Sequence, residues 1–134
     1  MKYPIGIQDF EKIIEDGYVY VDKTELVYKL ANEGHIYFLS RPRRFGKSLL
    51  ISTLKYYFQG RKDLFRGLAI DKLETKWAEY PVFHLSFGSA NFTKHGTLDE
   101  VIDNYLADFE NDYPTNTKPR DFGIRFASIL KAAH

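Results

Sequence analysis

The chain has 134 residues, 44% of them hydrophobic and 16% aromatic, enough for one domain with a real core. A formal net charge of +1 gives no global reason to expect nucleic acid or a membrane surface as partner. The lack of cysteine excludes disulfides and thiolate metal sites and agrees with a cytoplasmic location. No apolar run approaches the ~20 residues of a membrane span, and the polar start lacks the apolar centre of a signal peptide.

In chain order, residues 1–7 read as an extended lead-in, because Pro4 and Gly6 oppose helix. Asp9 is placed to cap a short helix reaching Asp16, with Phe10, Ile13 and Ile14 on one face and Gly17 as its stop. Tyr18-Val19-Tyr20-Val21 is expected as a short strand. Thr24 is expected to cap the next helix, which turns Leu26, Val27, Leu30 and Ala31 inward and stops at Gly34. Asp22, Lys23 and Thr24 are read either as a cap with a surface ion pair or as contacts close to a ligand.

The most informative stretch follows. Ile36-Tyr37-Phe38-Leu39-Ser40 reads as a buried strand, Arg41-Pro42-Arg43-Arg44-Phe45-Gly46-Lys47-Ser48 as a tight loop, and Leu49 onward as a helix. Gly-Lys-Ser at a strand–helix junction is the second half of the phosphate-binding pattern GxxxxGK[ST], while Arg41 stands where that pattern has its first glycine. A helix N-terminus offers unpaired amides and the positive end of a dipole, which together attract an anion. Gly46 lets the backbone approach phosphate oxygens. In this pattern Lys47 takes the β/γ-phosphates and the Ser48 hydroxyl takes Mg²⁺. Arg41 is a poor candidate for a positive-φ turn, so the loop is expected to begin differently, with Pro42 fixing φ.

Beyond the loop, Lys47–Gln59 is expected to be helical, with a broad stripe of Leu49, Leu50, Thr53, Leu54, Tyr57 and Phe58 ended by Gly60. Asp63–Phe65 reads as a further turn, with Leu64, Phe65, Leu68 and Ile70 inward. Lys72–Tyr80 is read as helical, with Trp77 a core anchor rather than a platform for a base. Pro81 opens a second strand, Val82–Phe87, in which His84 is read as structural. The polar loop Gly88–Gly96 follows; Ser86 or Asn91 could sense phosphate there, or the loop could be plain surface. Thr97-Leu98-Asp99-Glu100 matches a capping box opening a helix to about Asp112. Pro114–Arg120 reads as a loop, and Asp121 as the cap of a last helix with Phe122, Phe126, Ile129 and Leu130 inward.

Strands separated by helices predict a parallel sheet with covered faces, hence an α/β fold. The acidic strand that helps hold Mg²⁺ in such folds has no convincing counterpart; Leu68-Ala69-Ile70-Asp71 is the nearest and is too short. Pro4-x-Gly6-Ile7-x-Asp9-Phe10, Tyr18 to Thr24, Tyr37 to Ser48, Leu64-Phe65-x-Gly67-Leu68 and Tyr80-Pro81-Val82 together resemble the AAA-ATPase-like family of bacterial P-loop proteins. Many members carry a C-terminal nuclease-like domain of the PD-(D/E)xK type. The resemblance covers nearly the whole chain and accounts for Arg41 at the glycine position. It implies a truncated three-layer P-loop NTPase-like domain, mainly a parallel sheet flanked by helices. Residues 1–134 would be the N-terminal part of that single domain, with the acidic strand and any C-terminal domain beyond it.

The expected function is binding of ATP, or another nucleoside triphosphate, with Mg²⁺ through Arg41, Pro42, Arg43, Arg44, Phe45, Gly46, Lys47, Ser48 and Leu49. The amides of Phe45–Leu49 would cradle the phosphates. Arg43 or Arg44 either adds a charge-assisted contact or pairs with an acidic residue elsewhere. Catalytic residues are not assigned, and this length is expected to lack hydrolysis. Nucleic acid would enter through the nuclease-like domain outside the chain, and a truncated sheet is expected to self-associate. Two rivals remain. One is a nucleic-acid-binding module using Arg41, Arg43, Arg44 and Lys47 with Tyr37, Phe45, Tyr56 and Tyr57. The other is a degenerate interaction domain that binds no nucleotide.

Overall fold

The computed structural model describes residues 2–88, 93, 95–115 and 121–134. They form a helical fold, and the expected α/β architecture with a mainly parallel sheet is not what the chain adopts. Among the described residues there is no β-strand. The one ladder contact is an isolated parallel bridge between Lys2 and Tyr18, where the Val19 amide donates to the Lys2 carbonyl at 2.8 Å. Tyr18–Val21, Ile36–Ser40 and Val82–Phe87 all run outside helices, as their β-branched and aromatic residues favour, but apart from the Lys2–Tyr18 bridge no strand pairs with them among the described residues. Strand propensity measures fit to a pleated, half-buried surface, and it does not supply the second strand. Ile36 and Phe38 accordingly stand 94% and 93% exposed, although the sequence pattern reads as buried.

The chain divides into two compact units, Met1–Val82 and Phe83–His134. In the first, α1 (Phe10–Glu15), α2 (Thr24–Glu33), α3 (Lys47–Phe58), a 3-10 turn (Lys62–Phe65) and α4 (Ala69–Leu73) surround a core of Phe10, Val27, Tyr56, Tyr57, Leu64, Phe65 and Ile70. The Phe10 and Phe65 rings lie 4.8 Å apart, and Trp77 packs on Phe65 at 5.3 Å, so Trp77 is a core anchor as expected. Asp9 does not cap α1 with its own side chain. The Phe10 amide instead donates to Ser52 Oγ (2.9 Å), and Ser52 Oγ donates to Asp9 Oδ1 (2.8 Å), so a residue of α3 closes the end of α1. Arg61 ties the same region together by donating to Glu11 at 2.7 Å and to Asp63 at 2.9 Å.

The helix expected over Lys72–Tyr80 ends at Leu73. Glu74 stops it: its carboxylate accepts from the Lys76 amide (2.9 Å) and from the Tyr57 hydroxyl (2.5 Å), and such side-chain bonds compete with helical ones. Trp77 then takes φ +45°, a conformation that ends helical continuation, and its buried indole N–H has no partner among the described residues.

In the second unit α5 (Thr97–Asp112) packs on α6 (Phe122–Ala133) around Leu106, Phe109 and Ile129. The expected capping box does not form. Gly96 is the cap residue at φ +84°, and as a glycine it brings no side chain to cap the helix. Asp121 does cap α6, accepting from the Ile124 amide at 3.0 Å. Arg125 joins the two helices by donating to Glu110 at 3.0 Å and also to Asp103.

Candidate functional site

The loop before α3 is built by two left-handed residues. Arg44 lies at φ +67° and Gly46 at φ +76°, while Phe45 between them stays outside the positive region. A Cβ built on Gly46 would meet nothing within 4 Å, so glycine is required there by φ and not by space. Arg41 takes no positive φ, as its side chain favours; the left-handed turn falls three residues later, on Arg44. Alternating φ signs point successive amides to one side, the geometry of an anion-binding concavity.

Those amides are open. The first helical bond runs from the Leu50 amide to the Gly46 carbonyl at 3.0 Å, and no amide from Phe45 to Leu49 has a protein acceptor among the described residues. The Lys47 ammonium arches back and donates to the Pro42 carbonyl at 3.0 Å and also to the Arg41 carbonyl. An ammonium has three donors, so one remains for a ligand while the other two hold the side chain across the loop. The Ser48 side chain is exposed and makes no hydrogen bond among the described residues. Arg41, Arg43 and Arg44 are exposed, and none forms an ion pair among the described residues. Pro42 supplies a carbonyl to Lys47, and Leu49 turns partly inward onto the core.

This donor set suits a nucleotide with Mg²⁺. Open amides, one spare ammonium donor and three unpaired guanidiniums favour a polyanion, and a free hydroxyl at Ser48 is a hard oxygen ligand of the kind Mg²⁺ takes.

Asp22 and Thr24 serve the fold. Asp22 Oδ1 accepts from the Thr24 amide (2.9 Å) and hydroxyl (2.7 Å), Asp22 Oδ2 accepts from the Ala69 amide (2.7 Å), and Thr24 Oγ1 accepts from the Ile70 amide (3.1 Å). Thr24 is thus the first residue of α2 rather than its cap, and Asp22 caps both α2 and α4. Burial alone raises the Asp22 carboxyl, but the bonds from Thr24 and Ala69 outweigh it and hold the group below its ordinary range. Lys23, by contrast, lines a groove of about 510 Å³ that also includes Arg41, Phe45 and Gly46 of the loop. No local pattern announces this groove, because its other wall comes from Tyr20, Val21 and Leu26, about twenty residues upstream of the loop.

The remaining candidates separate from the loop. Tyr56 and Tyr57 are buried in the first unit's core, leaving Tyr37 and Phe45 as the exposed aromatics of the proposed stacking set. Asp71, nearest to an acidic-strand aspartate, belongs to α4, where it accepts from the Gly67 amide at 3.1 Å. Ser86 belongs to the second unit; its amide and carbonyl both bond the Tyr105 hydroxyl (3.0 and 2.8 Å). Asn91 lies outside the described residues. No helix of the described residues is long and apolar enough to cross a membrane.

No solved structure matches the chain. A curated protein of Azotobacter chroococcum mcd 1, described as "Uncharacterized protein in vnfD 5'region", is 41% identical over 134 residues, which are 99% of this chain and 26% of that protein. The chain therefore spans about a quarter of the length of this relative. The family described as "Predicted AAA-ATPase" matches residues 4–134, and the chain belongs to this AAA-ATPase-like family.

Proposed function

We propose that the chain binds a nucleoside triphosphate, ATP foremost, with Mg²⁺ at the loop Arg41–Ser48 and the N-terminus of α3. The observation that carries the reading is the run of amides from Phe45 to Leu49 without protein acceptors beneath an ammonium that keeps one donor free. Lys47 would hold the β/γ-phosphates, Ser48 would ligate Mg²⁺, and Arg43 or Arg44 would add a charge-assisted contact. Family membership supports nucleotide and Mg²⁺ as the class of ligand. Hydrolysis is not part of the proposal.

Thermal unfolding with and without millimolar Mg-ATP tests it. A ligand that binds only the folded chain at a hundred times its Kd adds about 2.7 kcal/mol, and Lys47→Ala should abolish that gain. An unchanged melting temperature in the wild type would favour a domain that binds no nucleotide.

The unpaired Arg41, Arg43 and Arg44 support a second reading, binding to a nucleic-acid backbone. That reading predicts affinity that falls steeply with salt and is indifferent to ATP.

A further inference from the structure

A second cavity in the first unit lies apart from the loop. It measures about 360 Å³, within the ~300–1,000 Å³ range of small-molecule sites. Five rings line it, those of Tyr28, Tyr57, Phe58, Trp77 and Tyr80, and it shares no residue with the groove beside the loop. Four of the rings run edge to face in series, with Trp77 5.9 Å from Tyr57, Tyr57 5.1 Å from Phe58, and Phe58 6.0 Å from Tyr80. The segment that follows α4 supplies much of the wall and is pinned to the end of α3. The Tyr80 amide donates to the Phe58 carbonyl at 2.8 Å, and a Cβ on Gly60 would meet the Trp77 carbonyl at 3.1 Å. Trp77, in the middle of that segment, holds φ +45°, a conformation costly for a bulky residue and recurrent where ligands are clamped.

One carboxylate, that of Glu74, lines this aromatic cavity. Its oxygens accept from the Tyr57 hydroxyl (2.5 Å) and from the Lys76 amide (2.9 Å). The bond from Tyr57 foremost holds the carboxyl below its ordinary range, so Glu74 is charged at neutral pH. A carboxylate offers about four acceptor sites, and two of them are left over. No cation forms an ion pair with Glu74 among the described residues. Lys76, the other charged residue of the wall, is exposed and bonds Glu74 through its amide, not its ammonium. A metal ion is poorly served here, because Mg²⁺ and Ca²⁺ take about six or more oxygen ligands. Among the described residues no three acidic or histidine side chains are grouped to supply them. Aromatic rings attract cations through their negative faces, and alkylated ammonium groups are the cations that such clusters recognise. We propose that this cavity binds a small alkylated ammonium ion, with Glu74 as its counter-ion and the rings of Tyr28, Tyr57, Trp77 and Tyr80 around it.

Calorimetric titration of the chain with choline tests the assignment, beside the neutral alcohol in which a tert-butyl group replaces trimethylammonium. The two probes share a shape and differ in one charge. The expected result is saturable choline binding at least tenfold tighter than that of the alcohol. Glu74→Gln keeps an oxygen to accept from Tyr57 and should remove most of that preference. Tyr80→Leu takes away an exposed ring but keeps the amide that bonds Phe58, so it should melt with the wild type while choline affinity falls at least fivefold. This second variant reads the cavity even where Glu74→Gln disturbs the fold. Equal affinity for choline and the alcohol would overturn the ammonium assignment and leave an apolar hole. Choline binding that Tyr80→Leu leaves within twofold would put the cation elsewhere and overturn this cavity. Failure of choline to bind saturably would overturn the proposal outright.

Discussion

At the scale of single residues, the loop separates what folding needs from what a ligand needs. Lys47 bonds only carbonyls of its own loop and lies at the surface side of α3, so Lys47→Ala should leave unliganded stability within about 0.5 kcal/mol. Equilibrium urea unfolding checks this, and a larger loss would make Lys47 a structural residue. Arg44 holds a left-handed conformation that costs an L-residue about 1–2 kcal/mol. Arg44→Gly should therefore raise stability by up to about 1 kcal/mol, after the greater chain entropy of glycine is deducted, while weakening phosphate binding through the lost charge. Asp22 is the opposite case. It accepts three hydrogen bonds at the ends of two helices, and its loss should cost about 1–2 kcal/mol, as for a helix cap. Its carboxyl is held below the ordinary aspartate value, so its contribution is complete above about pH 4 and is lost as the pH falls through the lowered folded value. Acid titration of Asp22→Ala beside the wild type should show the two stabilities converging.

At the scale of elements, local signals were legible and distant ones were not. The apolar stripe and following glycine placed α3 within one residue of its observed end at Phe58, and Asp121 caps α6 as its position suggests. The Gly-Lys-Ser junction marked the start of α3, where the open amides lie. What failed depends on partners far along the chain. Ser52 replaces the Asp9 cap across 42 residues, and Glu74 ends α4 through a tyrosine 17 residues away. The strand assignments failed for the same reason: alternation and β-propensity describe a segment, whereas a sheet is a relation between segments. The groove wall at Tyr20 and Val21 was likewise invisible, since its meaning lies in being next to Phe45 and Gly46. Ser52→Ala offers a check on this coupling of α1 to α3. It removes two partly or fully buried hydrogen bonds and should cost about 1–3 kcal/mol. Hydrogen exchange should quicken first at α1, and a uniform change across the first unit would contradict a local clasp.

At the scale of the whole molecule, the two units have separate cores, and the proposed site lies in the first. Ligand effects should accordingly appear among residues 2–82. The proposed function rests on one arrangement, a nucleotide tail received by the backbone that opens α3. Amide-resolved NMR reads that backbone directly. Adding Mg-ATP to the isotope-labelled chain should produce its largest shifts at the amides of Gly46, Lys47, Ser48 and Leu49, and Lys47→Ala should suppress them. Unmoved signals at those four amides under saturating Mg-ATP, with shifts gathered elsewhere or absent, would contradict it.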